Sequence, residues 1–181
     1  MKRLINRLQK QEKKIAVAES CTGGLISKII TDTPGASAVF GMGVTTYSNE
    51  AKMQLLGVKE ETLASFGAVS EQTACEMALG MLELSGADIA ISVTGIAGPG
   101  NDGTEKPVGT VCISVATAER CFATTFVFAG KRNEIRKMSA KMALNLAFDE
   151  LGIKKEKKGI KKTASSAVKK TKKAIKKLIK K

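Results

Sequence analysis

The sequence predicts a three-layer α/β/α sandwich around a mixed β-sheet, and three observations carry that prediction. Two short apolar runs, Ile15-Ala-Val-Ala18 and Asp88-Ile-Ala-Ile-Ser-Val-Thr94, have the length of strands and end in polar or glycine-rich turns. The second is of the kind buried on both faces beneath covering helices. Segments of helical periodicity alternate with these runs, as in a sheet built from crossover connections. Two β-rich stretches, about 109–117 and 121–129, are joined only by Ala118-Glu119-Arg120 and read as an antiparallel hairpin. The hairpin is what makes the predicted sheet mixed.

Each element has a local reason. Residues 2–13 set Leu4, Ile5 and Leu8 among lysines and arginines, a short amphipathic helix. The first strand, 15–19, runs into Ser20-Cys21-Thr22-Gly23-Gly24 and then a helix over about 23–32 that stops before Pro34-Gly35. The glycine pair lets backbone approach a ligand closely, and the helix start offers unpaired N–H groups to an anion. Residues 37–48 read as a strand whose internal glycines imply a bend or bulge. Ser48-Asn49-Glu50 opens a helix over 49–56 that Gly57 closes, and a short helix over about 59–66 ends at Gly67. Ser70-Glu71 then opens a longer helix to about 84, with Ala74, Met77, Ala78, Met81 and Leu82 on one face. The loop from Gly95 to Val108 has a length at which loops are usually functional or disordered. A final helix, about 132–151, directs Ile135, Met138, Met142, Leu146 and Leu151 towards the core.

A chain of 181 residues, 43% hydrophobic and 26% charged, supports one good core. No apolar run approaches the roughly 20 residues of a bilayer span, and Met1-Lys-Arg-Leu-Ile-Asn-Arg lacks the apolar region of a signal peptide. The four cysteines are scattered without a CxxC pair, so reduced thiols and a cytoplasmic location are expected. The net charge of +13 is local. Residues 154–181 carry fourteen lysines against one acid, whereas residues 1–153 hold sixteen bases and sixteen acids. The expected organisation is a globular domain over 1–153 and a lysine-rich tail over 154–181. That tail reads either as disordered or as a basic amphipathic helix, with Ile160, Ala164, Val168, Thr171, Ile175 and Leu178 at helical spacing. Weak binding to nucleic acid or an anionic surface is the partner it suggests. Without aromatic residues to stack on bases, it is not expected to read RNA sequence.

The chain contains no histidine, which excludes Ser-His-Asp triads, Cys-His pairs and histidine metal sites. If Ser20 is a nucleophile, its base must be Lys, Tyr, Asp or Glu. A lysine serves when burial or a neighbouring positive charge lowers its pKa. Tyr47, the single tyrosine, and Lys52 flank a strand-to-helix junction, and C-terminal strand ends share one edge of a parallel sheet. Ser20, Tyr47 and the loop after Thr94 can therefore converge. The plainer readings stay open: Ser20 as a helix cap, Lys52 as a solvated lysine, Tyr47 as a half-buried sheet residue, and Cys21 as a rival nucleophile.

Five segments occurring in order carry a family resemblance. They are Ala18-Glu-Ser-Cys-Thr-Gly-Gly24, Val44-Thr-Thr-Tyr-Ser-Asn-Glu-Ala-Lys52, Gly67-Ala-Val-Ser-Glu71, Gly95-Ile-Ala-Gly-Pro99 and Glu105-Lys-Pro-Val-Gly-Thr110. Together they resemble the CinA C-terminal domain family, in its stand-alone form, over roughly residues 3–151. Its enzymatic members are nicotinamide-nucleotide amidases. The resemblance implies hydrolysis of nicotinamide mononucleotide to nicotinic acid mononucleotide and ammonia, with no metal or cofactor. It places the serine nucleophile, tyrosine and lysine on Ser20, Tyr47 and Lys52, with Tyr47 a relay to Lys52. It also implies oxyanion donors near Thr22-Gly23, substrate contacts at Thr22, Gly23, Gly24, Gly95 and Ala97, a phosphate-binding Arg132, and a homodimer. A non-catalytic nucleotide-binding module and a nucleic-acid-associated protein governed by the tail are the alternatives.

Overall fold

The computed structural model describes residues 1–101 and 103–152; the lysine-rich segment 154–181 lies outside the described residues. Five strands form one sheet in the order β2-β1-β3-β4-β5. β1 (Ile15–Glu19) runs parallel to β2 (Phe40–Thr45) and to β3 (Ile89–Gly95). β4 (Thr110–Thr117) and β5 (Cys121–Val127) continue the sheet antiparallel, as the hairpin reading anticipated. Six helices cover it: α1 (Lys2–Lys10), α2 (Leu25–Thr31), α3 (Asn49–Leu56), α4 (Glu60–Phe66), α5 (Glu71–Ser85) and α6 (Arg132–Glu150). The result is the mixed α/β/α sandwich the sequence predicts.

The period of two along each strand divides the core. Ile15 and Val17 of β1, with Ile89, Ile91 and Val93 of β3, join the cluster built by α1, α2 and α6, including Leu4, Ile5, Leu8, Ile26, Ile30 and Leu144. The intervening Ala16, Ala18 and Ala90 face Met77 and Met81 of α5 and Leu56. Small residues on this second face bring α5 close to the sheet, so Ser92 and Thr94 reach across to donate to the carbonyls of Ala74 and Ala68. Met77 and Met81 are fully buried, each stabilising the fold by about 1.5–3 kcal/mol. Gly80 marks where α5 meets the end of α3. A Cβ there would collide with the Leu56 carbonyl.

Three details differ from expectation. The strand expected over 37–48 is shorter, because Gly35, at φ +87°, opens a 3-10 turn at Ala36–Ala38 before β2 begins. Its expected bulge is present: Ile15 pairs with Phe40 but Ala16 with Met42, leaving Gly41 as the extra residue. On α6 the face against the sheet is Ile135, Ser139, Ala140, Ala143, Leu144 and Ala147, while Met138, Met142 and Leu146 are only half-buried beside it. The small side chains occupy the closest approach and the long ones flank it.

The chain leaves β1 towards β2 on one side and reaches β3 on the other. The carboxyl ends of these parallel strands therefore meet at a switch of strand order, where open α/β sheets form their crevices. Among the described residues no helix is long and apolar enough to cross a membrane.

Candidate active site

Ser20 follows the last residue of β1, and its N–H donates to the Val93 carbonyl at 2.9 Å, extending the ladder with β3. The chain then turns sharply. Gly23 N–H returns to the Ser20 carbonyl at 3.0 Å, and Gly23 and Gly24 take φ of 55° and 86° before α2 begins at Leu25. Glu19 is fully buried and turns its carboxylate onto the start of α2. Its oxygens accept from Ile26 N–H (3.0 Å), Ser27 N–H (2.8 Å) and Ser27 Oγ (2.8 Å). The anion site expected at this helix start is thus filled by the protein's own carboxylate. Ser20 is not a helix cap either, since α2 starts after Gly24.

From the opposite side, Arg136 of α6 donates from Nε to the Cys21 carbonyl (3.2 Å) and from Nη2 to the Thr22 carbonyl (2.6 Å). Because a peptide N–H points away from the preceding carbonyl, these bonds fix where the turn's amides face. Ser20 O is held by Gly23 and Cys21 O by Arg136, leaving the Cys21 and Thr22 N–H groups aimed the other way. The Cys21 N–H meets its own thiol, and Thr22 is fully buried. The Gly23 N–H, expected as an oxyanion donor, is already engaged with Ser20.

Lys52 enters from α3, whose start is fixed by Ser48 Oγ accepting from Ala51 N–H at 3.1 Å. One turn on, Lys52 is only 2% exposed. Its Nζ lies 3.3 Å from Ser20 Oγ, 2.9 Å from the Thr46 carbonyl and 3.3 Å from the Ser48 carbonyl. Burial holds its pKa below that of an ordinary lysine, while Cys21 and Glu50 oppose the shift weakly. As an ammonium the group donates to all three oxygens. As an amine it keeps two N–H bonds to the carbonyls and turns its lone pair towards the Ser20 hydroxyl. Lys52 is therefore no solvated surface lysine. Burial pushes the Cys21 thiol up to about 12, so at neutral pH this rival nucleophile is a thiol.

Tyr47 is placed differently from the expected relay. It is 61% exposed, and its hydroxyl accepts from Arg132 Nη2 at 2.9 Å rather than meeting Lys52. Arg132 Nη1 also donates to the Gly98 carbonyl at 2.7 Å, tying the start of α6 to the loop after β3. Both residues stand at the rim of the crevice.

A cavity of about 590 Å³ joins these groups, lined by Ser20, Lys52, Tyr47, Arg132, Gly95 and Ala97 among others. Gly95 has to be glycine, because a Cβ would approach Val111 Cγ2 to 2.7 Å and the Thr110 carbonyl to 2.8 Å. Thr22, Gly23 and Gly24, expected as substrate contacts, do not line it; the turn carries them behind Ser20. Asn49, Gly67–Val69 and Lys106, which stand in the segments that carry the resemblance but were given no role, also line it, as does Thr104. Lys106 Nζ donates to the carbonyls of Phe66 (3.1 Å) and Val69 (2.5 Å). Three cationic side chains thus face the cavity, and none of its described lining residues carries a carboxylate.

The CinA C-terminal domain family matches residues 1–151. A "CinA-like protein" of Chloroherpeton thalassium is 58% identical over 136 residues, covering 73% of this chain and 32% of its own length. Another "CinA-like protein", from Chlorobium limicola, is 54% identical over 142 residues, covering 76% and 33%. The chain therefore spans about a third of the length of these curated relatives. Among solved structures, the competence/damage inducible protein CihA from Agrobacterium tumefaciens superposes with a TM-score of 0.80 at 42% identity, covering 83% of this chain and 92% of that one. The CinA superfamily protein ECK1530/EC0983 from Escherichia coli does so at 0.76 and 33% identity, covering 80% and 84%. With the match spanning the whole sandwich, the chain belongs to the CinA C-terminal domain family.

Proposed function

We propose that the chain is an amidohydrolase converting nicotinamide mononucleotide and water to nicotinic acid mononucleotide and ammonia. The observation that carries this reading is the buried Lys52 amine 3.3 Å from Ser20 Oγ in a chain that has no histidine to serve as base. Neutral Lys52 takes the Ser20 proton as Oγ attacks the carboxamide carbon. The tetrahedral intermediate collapses with cleavage of the C–N bond, and the Lys52 ammonium returns the proton to the departing ammonia. Water then attacks the acyl-serine, gives a proton to Lys52, and the acid leaves as Ser20 Oγ regains its proton. General base catalysis of this type contributes on the order of 10²–10⁴ in rate.

The remaining groups fit the same chemistry. The Cys21 N–H, adjacent to Ser20 on a residue that lines the cavity, is a fixed dipole beside the nucleophile where an oxyanion develops. Arg132 and Lys106 hold their positive charges against neutral carbonyls, which leaves them able to pair with a phosphate. Tyr47 Oη, bonded to Arg132, orients that guanidinium at the rim. Incubating the purified chain with nicotinamide mononucleotide tests the reading: ammonia and nicotinic acid mononucleotide should accumulate in equal amounts. Their absence at any pH between 6 and 10 would overturn it.

A further inference from the structure

We propose that Arg136 is the positioning residue of the nucleophile turn, a role that rests on the amidase reading of Ser20. Arg132 and Arg136 are one turn apart on α6, yet they serve different places. Arg132 reaches the rim of the cavity, whereas Arg136 does not line it and turns to the back of the nucleophile turn. Its planar guanidinium grips two consecutive carbonyls, Cys21 at 3.2 Å and Thr22 at 2.6 Å, more than 110 residues away in sequence. Such a fork fixes two peptide planes at once, which a point-charge ammonium does not do.

The consequence follows from peptide geometry. Holding the Cys21 and Thr22 carbonyls towards α6 pins the turn that follows Ser20, and with it the backbone that presents Oγ to Lys52. Among the described residues Arg136 is the one donor to the Cys21 carbonyl, so its loss frees that peptide to rotate. Contact is close: a Cβ on Gly23 would lie 3.4 Å from Arg136 Nη2. Arg136 has no carboxylate partner among the described residues, so its charge is directed onto the turn alone.

The test compares the full chain with Arg136→Ala and Arg136→Lys. Kinetics on nicotinamide mononucleotide are measured beside the rate at which phenylmethanesulfonyl fluoride sulfonylates Ser20. That labelling forms an Oγ–S bond and expels fluoride, with the serine proton passing to Lys52, so it reports on the turn whatever the natural substrate is. For Arg136→Ala, kcat should fall by about 10²-fold with KM within about twofold, and labelling should slow in parallel. Millimolar guanidinium chloride should restore much of both rates, and Arg136→Lys should fall between wild type and Arg136→Ala. A purely structural role predicts no rescue and a loss that tracks the melting temperature. Should Arg136→Ala not fold, Arg136→Lys decides alone, since a wild-type kcat there refutes the role. Unchanged kcat and labelling in folded Arg136→Ala refute it too. A wild-type chain that is labelled at Ser20 yet releases no ammonia would instead count against the amidase reading.

Discussion

Glu19→Gln is the substitution whose outcome can be worked most fully from the geometry. The wild-type carboxylate accepts three bonds in a site with no solvent access, two at one oxygen from Ser27 and one at the other from Ile26 N–H. In the better of its two orientations, glutamine keeps its carbonyl oxygen on Ser27 and turns its NH₂ against the Ile26 N–H. One bond to a charged acceptor is then lost, about 1.5–3 kcal/mol, and two others weaken to the ordinary value of about 1 kcal/mol each. The favourable interaction with the start of α2 goes as well. The sum is a destabilisation of about 3–8 kcal/mol, a large share of the roughly 5–15 kcal/mol available to a domain. At about 2–4 °C per kcal/mol this lowers Tm by roughly 6–32 °C. Urea denaturation at pH 7, with an unchanged m-value, measures it directly. A loss below about 1 kcal/mol would mean that Glu19 does not anchor the nucleophile turn.

Two further predictions concern the cations of the cavity. Lys52→Met should lower kcat by about 10²–10⁴-fold, because the base is gone. Its stability relative to wild type should also depend on pH. The folded-state pKa of Lys52 is depressed, so the unfolded chain binds more protons between that value and the ordinary lysine range. Wild type therefore gains stability as pH rises through this window and Lys52→Met does not. A Tm difference independent of pH would refute the assignment. For Lys106→Gln, loss of one charged contact should raise KM for nicotinamide mononucleotide by about 10–100-fold. Turnover of the unphosphorylated riboside should change far less; an equal loss on both substrates would assign Lys106 to holding the 67–69 wall instead.

Much of the fold was legible because its signals are local. The apolar runs at 15–18 and 88–94, the Ser48 and Ser70 caps and the three-residue hairpin each depend on neighbouring residues, and each appears where expected. Even the bulge at Gly41 was foreshadowed by the glycines around it. The face of α6 was misjudged for a physical reason: hydropathy favours Met138, Met142 and Leu146, but distance to the sheet favours Ala140, Ala143 and Ala147. At the site, Ser20, Lys52, Gly95, Ala97 and Arg132 do share one cavity. What sequence could not supply was the use of long-range partners. Glu19 looks like an ordinary strand end until its carboxylate is found on α2. Nothing near Lys106 or Arg136 in sequence marks their carbonyl partners, which are 37 to 115 residues distant. The resemblance made Tyr47 a relay to Lys52, whereas its hydroxyl accepts from Arg132, 85 residues away.

The central claim is that Ser20 attacks a carboxamide with Lys52 as its base. Its most direct test is ammonia release from nicotinamide mononucleotide by wild type and Ser20→Ala at matched concentration, with circular dichroism confirming that both are folded. Turnover by wild type and none above background by Ser20→Ala is the result predicted here. Ammonia released by Ser20→Ala at the wild-type rate would contradict it.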